Sequence, residues 1–266
     1  MRNHTYSAII CFALLATACR KEKETIDLDY TSAVDNALVE SYFNDILRLS
    51  DETAGDNGLR GIQASCIDTV IIDTLASPHT MLIDLGPTNC TGLDGRQRRG
   101  QLFVTFTGRY RDAGTVITIT PQGFHVNDHL VQGTKTVTNL GLNGDGHPFF
   151  SVDVDGTVTA PGGTWTSSYQ GQRTRTWTQG SATPSLFDDV YAITGSGNGV
   201  NRNGIPYTVS ITAPLIVELD CPYITQGKLE ITPDQRTTRY VDFGNGVCDA
   251  TITVTVNGNT YTFGGN

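Results

Sequence analysis

The sequence predicts an all-β protein, an antiparallel meander of many short strands arranged as an elongated two-layer sandwich with one N-terminal helix packed on it. Two observations support this fold class. From residue 63 onward, short runs rich in Thr, Val, Ile and aromatic residues recur, and Gly, Asn, Asp or Pro interrupts them about every ten residues. No segment in this region has helical periodicity, and no long linker divides it. We therefore expect one β-rich domain over residues 31–266, with its sheet in residues 63–266.

Residues 31–50 form the one predicted helix. Ser32 and Asp35 have the spacing of a capping pair at its start. Apolar residues recur at helical spacing and fall on one broad face, which we expect to pack on the sheet. These residues are Val34, Leu38, Tyr42, Phe43, Ile46, Leu47 and Leu49.

Several short segments have the composition of hairpin turns. Asn and Asp, alone or beside Gly, are favoured in such turns because these residues tolerate positive φ angles. On this basis we predict turns at residues 112–114, 127–128, 155–156, 203–204 and 257–258.

A short motif occurs twice in the chain. Residues 83–90 and 241–248 each read apolar-Asp-apolar-Gly, with a cysteine six residues after the aspartate. Asp84 and Asp242 invite a reading as a paired acidic site, but aspartate before such a turn more often accepts hydrogen bonds from local backbone N–H groups. The similarity extends over residues 66–110 and 221–261, which we interpret as a duplicated unit of a hairpin plus a strand.

Four cysteines in the body of the chain are predicted to form two disulfides. A turn-forming Pro or Asp lies midway between Cys66 and Cys90, and again between Cys221 and Cys248. If each turn closes an antiparallel hairpin, its two cysteines come opposite one another, within reach of a disulfide. The spacing therefore favours Cys66–Cys90 with Cys221–Cys248, and four buried free thiols are the alternative.

Residues 1–18 are predicted to be an export signal. Arg2 provides the positive start, and residues 8–15 form an apolar run too short to span a bilayer. The segment ends in Ala16-Thr17-Ala18-Cys19, which resembles the lipobox of bacterial lipoproteins, although Leu is commoner than Ala at the position of Ala16. The resemblance implies that Cys19 becomes the lipidated first residue of the mature protein. Ordinary signal cleavage and a free secreted chain are the alternative.

Residues 19–30 are predicted to be a charged tether between this anchor and the domain. Residues 20–24 are all Arg, Lys or Glu and are too polar to fold alone. Similar charged stretches follow the lipidated cysteine in lipoproteins carried to the surface of some Gram-negative bacteria. We therefore expect a lipid-anchored protein of the outer membrane, periplasmic or surface-exposed, in a compartment where disulfides persist.

Charge and motif content exclude several function classes. Asp and Glu number 27 against 18 Lys and Arg, for a net charge of −9, whereas a nucleic-acid partner needs clustered Lys and Arg. The sequence contains no Gly-x-Ser-x-Gly elbow, no His-Glu-x-x-His and no phosphate-binding loop. His125 and His129, with Asp128 and His147 nearby in sequence, are the only conceivable transition-metal cluster, and we interpret the histidines as exposed turn residues. No catalytic residue, metal site or cofactor is predicted.

Residues 164–178 are the best candidate for a ligand surface. A three-residue turn at residues 170–172 would pair Trp165 with Trp177 across a hairpin. One face of that hairpin would present Trp165, Tyr169, Arg173, Arg175 and Trp177, and the other only Thr, Ser and Gln. Aromatic faces beside Arg stack on sugar rings or clamp anionic groups. In the alternative, which we favour, the Trp pair packs in the core and the Arg stems cover it.

Together these features predict a non-enzymatic cell-envelope lipoprotein that presents a disulfide-stabilised β domain for adhesion or structural interaction. Its expected partners are the membrane, through Cys19, and a glycan or surface protein. One alternative is a binding protein for a glycan or another small ligand at the Trp165/Trp177 face. A second is a hydrolase with a site assembled from scattered Asp, Glu and His.

Overall fold

The fold was obtained as a computed structural model. The structure describes residues 27–54, 66–92, 94–183, 185, 187–221, 223–249 and 251–264. The predicted export signal, Cys19 and residues 20–26 of the predicted tether lie outside the described residues.

One α-helix, one 3-10 turn at Pro161–Gly163 and fourteen strands are the regular elements of the described part of the chain. Helix α1 spans Thr31–Ala54. The strands are β1 (Thr69–Asp73), β2 (His79–Asp84), β3 (Cys90–Thr91), β4 (Gln97–Phe106), β5 (Val116–Val126), β6 (His129–Leu142), β7 (Pro148–Thr159), β8 (Thr166–Gln179), β9 (Val190–Val200), β10 (Pro206–Glu218), β11 (Ile224–Pro233), β12 (Arg239–Asn245), β13 (Ile252–Val256) and β14 (Asn259–Phe263).

All the strands belong to one antiparallel sheet of 14 strands. Each strand pairs with the next one along the chain, with one exception at β3. The two-residue β3 pairs only with β4, so β2 pairs with β4 and not with β3. The predicted all-β meander with one N-terminal helix is confirmed. The sheet is continuous, however, instead of two stacked sheets, because no step from β4 to β14 interrupts the hydrogen-bonded ladder. Its central strands β5 to β8, of 11 to 14 residues, are also longer than expected.

Helix α1 crosses one face of this sheet, and its contacts follow the order of the strands. Asp35 accepts a hydrogen bond from the turn between β9 and β10, Glu40 accepts one from β8, and Asp45 accepts one from β4. We call the face under the helix the inner face and the opposite one the outer face. The inner face and α1 enclose the hydrophobic core, in which Val39, Phe43 and Ile46 of the helix are at most 1% exposed.

The start of α1 differs from the prediction. Ser32 and Asp35 do not cap the helix; the Ser32 hydroxyl accepts a hydrogen bond from Asn201 Nδ2 at 2.9 Å, and Asp35 accepts two from Arg202. Asp29 Oδ1 instead accepts a hydrogen bond from the backbone N–H of Thr31 at 2.8 Å.

Among the described residues, no helix combines the length and the apolar character needed to cross a membrane.

Four of the five predicted turn segments lie between strands, and the one at residues 155–156 is wrong. Asp155 and Gly156 lie in the middle of β7. Gly156 is present there because the ring of Phe43 from α1 packs directly on its backbone, where a Cβ would overlap the ring. The glycine therefore marks a close approach of the helix to the sheet, not a turn.

Both predicted disulfides are confirmed. The Cα atoms of Cys66 and Cys90 are 5.4 Å apart, and those of Cys221 and Cys248 are 5.8 Å apart. The two predicted hairpins also form, as β1–β2 and β11–β12. All four cysteines lie outside these hairpin ladders: the second bridge closes the open end of β11–β12, whereas the first joins the start of β1 to β3.

Candidate binding surface

Cations on the inner face of the sheet, and Arg202 in the turn between β9 and β10, bind anionic or carbonyl groups of α1 or of the segment that leads into it. Four such pairs join Arg98 to Asp45, Arg173 to Glu40, Arg202 to Asp35 and Arg239 to Asp27. The Lys135 ammonium donates to the backbone carbonyl of Phe43 at 3.1 Å. Since a buried cation needs a partner, these contacts fix the helix on the sheet. The apolar pattern of α1 in the sequence does not reveal these contacts.

The contact between Arg98 and Asp45 is the most enclosed of these pairs. Arg98 Nε and Nη2 donate to the two carboxylate oxygens of Asp45 at 2.7 and 2.6 Å, and the side chains are 2% and 1% exposed. Asp94 binds the same guanidinium from the other side. Burial alone would raise the pKa of Asp94, but the hydrogen bond and charge of Arg98 outweigh it and lower the pKa to about 2.

Strand β8 contains four of the five predicted ligand residues, with Trp165 directly before it, but not the predicted turn. It runs without a break from Thr166 to Gln179, so the turn at residues 170–172 is wrong. Trp165 directly precedes β8 and Trp177 lies near the far end of that strand, about 40 Å further along the chain, so the two are not cross-strand neighbours. The predicted assignment of these side chains to two faces is correct, because side chains alternate along a strand whether or not the strand turns.

Most of the predicted ligand residues lie in the interior. Trp177 is 2% exposed and stacks on Tyr191 with ring centroids 5.4 Å apart. Tyr169 is equally buried and donates its hydroxyl hydrogen to Glu40 at 2.8 Å, and Arg173 binds the same carboxylate.

The other two predicted ligand residues are half-buried. The Arg175 guanidinium lies 3.6 Å from the centre of the Tyr191 ring. Trp165 packs against the core with the Arg202 guanidinium 4.1 Å from its ring centre. A ligand arriving from solvent would therefore reach the edges of Trp165 and Arg175 and not the whole predicted face.

The two aspartates of the repeated motif make the same local contact. Asp84 Oδ1 accepts the backbone N–H of Gly86 at 2.8 Å, and Asp242 Oδ1 accepts that of Gly244 at 2.9 Å. The second oxygen of Asp84 accepts from Gln101, and that of Asp242 binds Lys228. Both act as turn residues, as the sequence predicted, and these hydrogen bonds lower the pKa of each carboxyl group.

The outer face of the sheet contains a shallow, open depression of about 460 Å³, which we call the outer groove. Its polar side chains lie in two rows, one across strands β6 to β9 and the other across strands β6 to β10. One row follows the cross-strand pairs Thr136, Asp153, Gln172 and Ser196. The other follows Thr134, Asp155, Gln170, Asn198 and Thr208.

Hydrogen bonds within the outer groove hold its long side chains in place. Gln172 Nε2 donates to Asp153 Oδ1 at 3.1 Å, and Gln170 Nε2 donates to Asp155 Oδ2 at 3.2 Å. The Ser151 hydroxyl donates to the other oxygen of Asp153 at 2.9 Å. Among the described residues that line the groove there is no Lys or Arg. The groove is thus an ordered, mildly acidic surface rich in amide and hydroxyl groups.

The sequence contains a pattern that indicates the polar side chains of the outer groove. Polar residues alternate with inward-facing residues on neighbouring strands, as in Thr134-Lys135-Thr136, Asp153-Val154-Asp155 and Gln170-Gly171-Gln172. The face of β8 with only Thr, Ser and Gln was noted as the side opposite the aromatic residues. Only the strand register shows that these segments lie side by side.

The remaining predicted site residues do not form a cluster. Within the described ranges, no group of three or more His, Cys, Asp and Glu is placed to hold a metal ion. His129 contacts Tyr42, with its Nδ1 3.3 Å from the Tyr42 hydroxyl, and His125 Nδ1 lies 2.9 Å from the carbonyl oxygen of Gly123. Lipidation of Cys19 stays a prediction because that residue lies outside the described part of the chain.

Comparison with known proteins does not assign the chain to a family. No protein-family model, no curated protein and no solved structure matches it.

Proposed function

We propose that the chain is a non-enzymatic protein of the cell envelope whose β domain serves adhesion or structural interaction through the outer groove. The observation that supports this most is the groove itself. Its side chains project from hydrogen-bonded strands, and Gln170 and Gln172 are already hydrogen-bonded to Asp155 and Asp153, so these side chains lose little freedom when a partner binds.

Sequence features and covalent structure support the location. Residues 1–19 have the pattern of a lipoprotein signal ending at Cys19, and the two disulfides suit an oxidising compartment. A lipid on Cys19, with the charged tether behind it, would display many copies of the domain on one membrane. Globomycin, which blocks cleavage of lipoprotein signals, should then cause the precursor to accumulate, and normal maturation would count against the anchor.

A deletion strain tests the proposed role. The parent, the deletion strain and a complemented strain are compared for adherence to surfaces coated with proteins or polysaccharides, and for resistance of the envelope to detergent. We expect the deletion to weaken adherence or envelope resistance and complementation to restore it. Unchanged adherence together with unchanged resistance would contradict the proposal.

A further inference from the structure

We infer that the outer groove binds an uncharged glycan chain lying across strands β6 to β10. This inference rests on the proposed function, because it names the partner of the same surface. Charge is the first ground for it. Asp153 and Asp155 place two carboxylates in the groove, and no Lys or Arg among its described lining offsets them. Sulfated, phosphorylated or uronic-acid polymers are repelled by such a surface.

Hydrogen-bonding chemistry is the second ground. A sugar hydroxyl donates one hydrogen bond and accepts others, and the amides of Gln170, Gln172 and Asn198 likewise offer both N–H and C=O groups. The Asp153 and Asp155 carboxylates each already accept a hydrogen bond from a Gln amide, which keeps them oriented and leaves acceptor positions open. A bare cation would use the acceptors alone and leave the N–H groups of Asn198 without a role.

The dimensions of the groove are the third ground. Neighbouring strands lie about 4.8 Å apart, so a row from β6 to β10 extends about 19 Å across the sheet. The two rows are two residues apart along each strand, or about 6.6 Å. A row of this length contacts several consecutive sugars, and two rows contact both edges of each ring. The site therefore suits a chain and not a single monosaccharide.

The affinity of one site should be low. Known sugar sites gain much of their affinity from aromatic stacking, and the described residues lining this groove include no aromatic side chain. Each bond to a hydroxyl replaces one to water and adds little net free energy. Many copies displayed on one membrane would compensate, because linked sites bind a repeating polymer with high avidity.

Affinity electrophoresis of the full-length protein tests the inference. The gels contain a neutral polymer (dextran, mannan or a β-glucan) or an anionic one (alginate or dextran sulfate). We expect at least one neutral polymer to retard the protein and neither anionic polymer to do so. Gln172→Ala and Asn198→Ala should each weaken retardation by about tenfold, the effect of losing one to two hydrogen bonds.

Gln226→Ala is the matched control. Gln226 is an exposed glutamine on β11, on the same face of the same sheet but outside the groove, so its replacement should leave retardation unchanged. The double variant Asp153→Asn/Asp155→Asn should retain binding of the neutral polymer within about threefold, because each Asn keeps one acceptor oxygen.

Several results would overturn the inference. They are the absence of retardation by all three neutral polymers, retardation by an anionic polymer, groove variants that bind like wild type, and loss of binding in Trp165→Ala. Tight binding of calcium alone that is abolished by the double Asn variant would reassign the groove to a cation. If adherence depends on the protein but no neutral polymer binds, the glycan assignment is wrong and the proposed function stands. If adherence does not depend on the protein and no neutral polymer binds, the glycan assignment and the proposed function are both wrong.

Discussion

The buried pair of Arg98 and Asp45 is the strongest single-residue constraint on how α1 sits on the sheet. Asp45→Ala would leave the Arg98 guanidinium in the interior with Asp94 as its remaining carboxylate. Breaking a buried ion pair on one side costs about 3–5 kcal/mol, and the partner that remains places this change near the lower end. We expect urea denaturation to show a free energy of unfolding about 3 kcal/mol lower than that of wild type.

Arg48→Ala is the control for this change. Arg48 also binds Asp45 and Asp94, but its side chain is 46% exposed, so its pairs are screened by water. Its replacement should lower the free energy of unfolding by less than about 1 kcal/mol. Equal effects of the two substitutions would show that the buried pair does not fix the helix.

The low pKa of Asp94 predicts how the free energy of unfolding changes at acidic pH. Its pKa is about 2 in the folded protein against 3.8 for an ordinary aspartate, so folding favours the ionised form. Its contribution is complete above about pH 4 and is lost as the pH falls through about 2. Asp94→Asn removes this dependence. The difference in free energy of unfolding between wild type and Asp94→Asn should therefore shrink from pH 5 to pH 2, and a constant difference would contradict the assignment.

Some single residues could be interpreted from the sequence and others could not. The cysteine pairs and the turn role of Asp84 and Asp242 depend on short-range spacing, which the sequence displays directly. Arg98 pairs with Asp45 across 53 residues, and only the placement of α1 on the sheet brings them together. An inward-facing Arg in an alternating strand signals a buried partner but does not identify it.

At the level of elements, Phe43 and Gly156 set how closely α1 approaches β7. Gly156→Ala would place a Cβ inside the Phe43 ring and against the carbonyl oxygen of Gln132. Overpacking of this kind typically costs about 1–3 kcal/mol, because the helix must move or the ring must leave its rotamer. We expect a lower melting temperature for Gly156→Ala in a thermal unfolding measurement followed by circular dichroism.

Gly144→Ala serves as the comparison for that variant. Gly144 lies in the exposed turn between β6 and β7, and an added Cβ would meet no atom within 4 Å. Its melting temperature should stay close to that of wild type. If Gly156→Ala and Gly144→Ala have the same melting temperature, the helix does not pack on β7 as described.

Strand β8 shows which part of an element a sequence predicts. Alternation assigned Tyr169, Arg173 and Trp177 to one face correctly, because the period of two is local. The turn at residues 170–172 was wrong because Gly171 was interpreted as a turn residue. Gly171 instead leaves room for the Tyr169 ring, which lies over Gly171 and Gly197. The Tyr169 hydroxyl donates a hydrogen bond to Glu40 from this position. The ring that fills this space belongs to Tyr169, two residues away, but it is held there by Glu40, which is 129 residues from Tyr169 in sequence, so no local pattern reports the contact.

At the level of the whole molecule, the disulfides tie down the two ends of the sheet. The chain-entropy estimate for loops of 24 and 27 residues is about 3.5 kcal/mol for each bridge. We expect the double variant Cys66→Ser/Cys90→Ser and the double variant Cys221→Ser/Cys248→Ser to lose similar stability in urea denaturation. Peptide mapping without reduction checks the pairing, and a Cys66–Cys221 linkage would contradict both the hairpins and the topology.

The sequence predicted the class of the fold and missed its global arrangement. Strand-like runs and turns at short intervals indicate a meander whatever the layers are. Whether such strands form two sheets or one depends on register and on what covers the inner face. Here the helix and the segment that leads into it do so, with groups spread from Asp27 to Asp45. The outer groove was missed for the same reason, since it exists only once β6 to β10 lie side by side.

The central claim, that the outer groove is the contact surface, is tested most directly on whole cells. The deletion strain is complemented with wild type, with Gln172→Ala/Asn198→Ala, or with the control Gln226→Ala, at equal protein levels, and attachment is measured on the surface that the wild type binds. The account predicts that the groove variant attaches as poorly as the deletion strain, whereas the control attaches like wild type. Full attachment by the groove variant would contradict it.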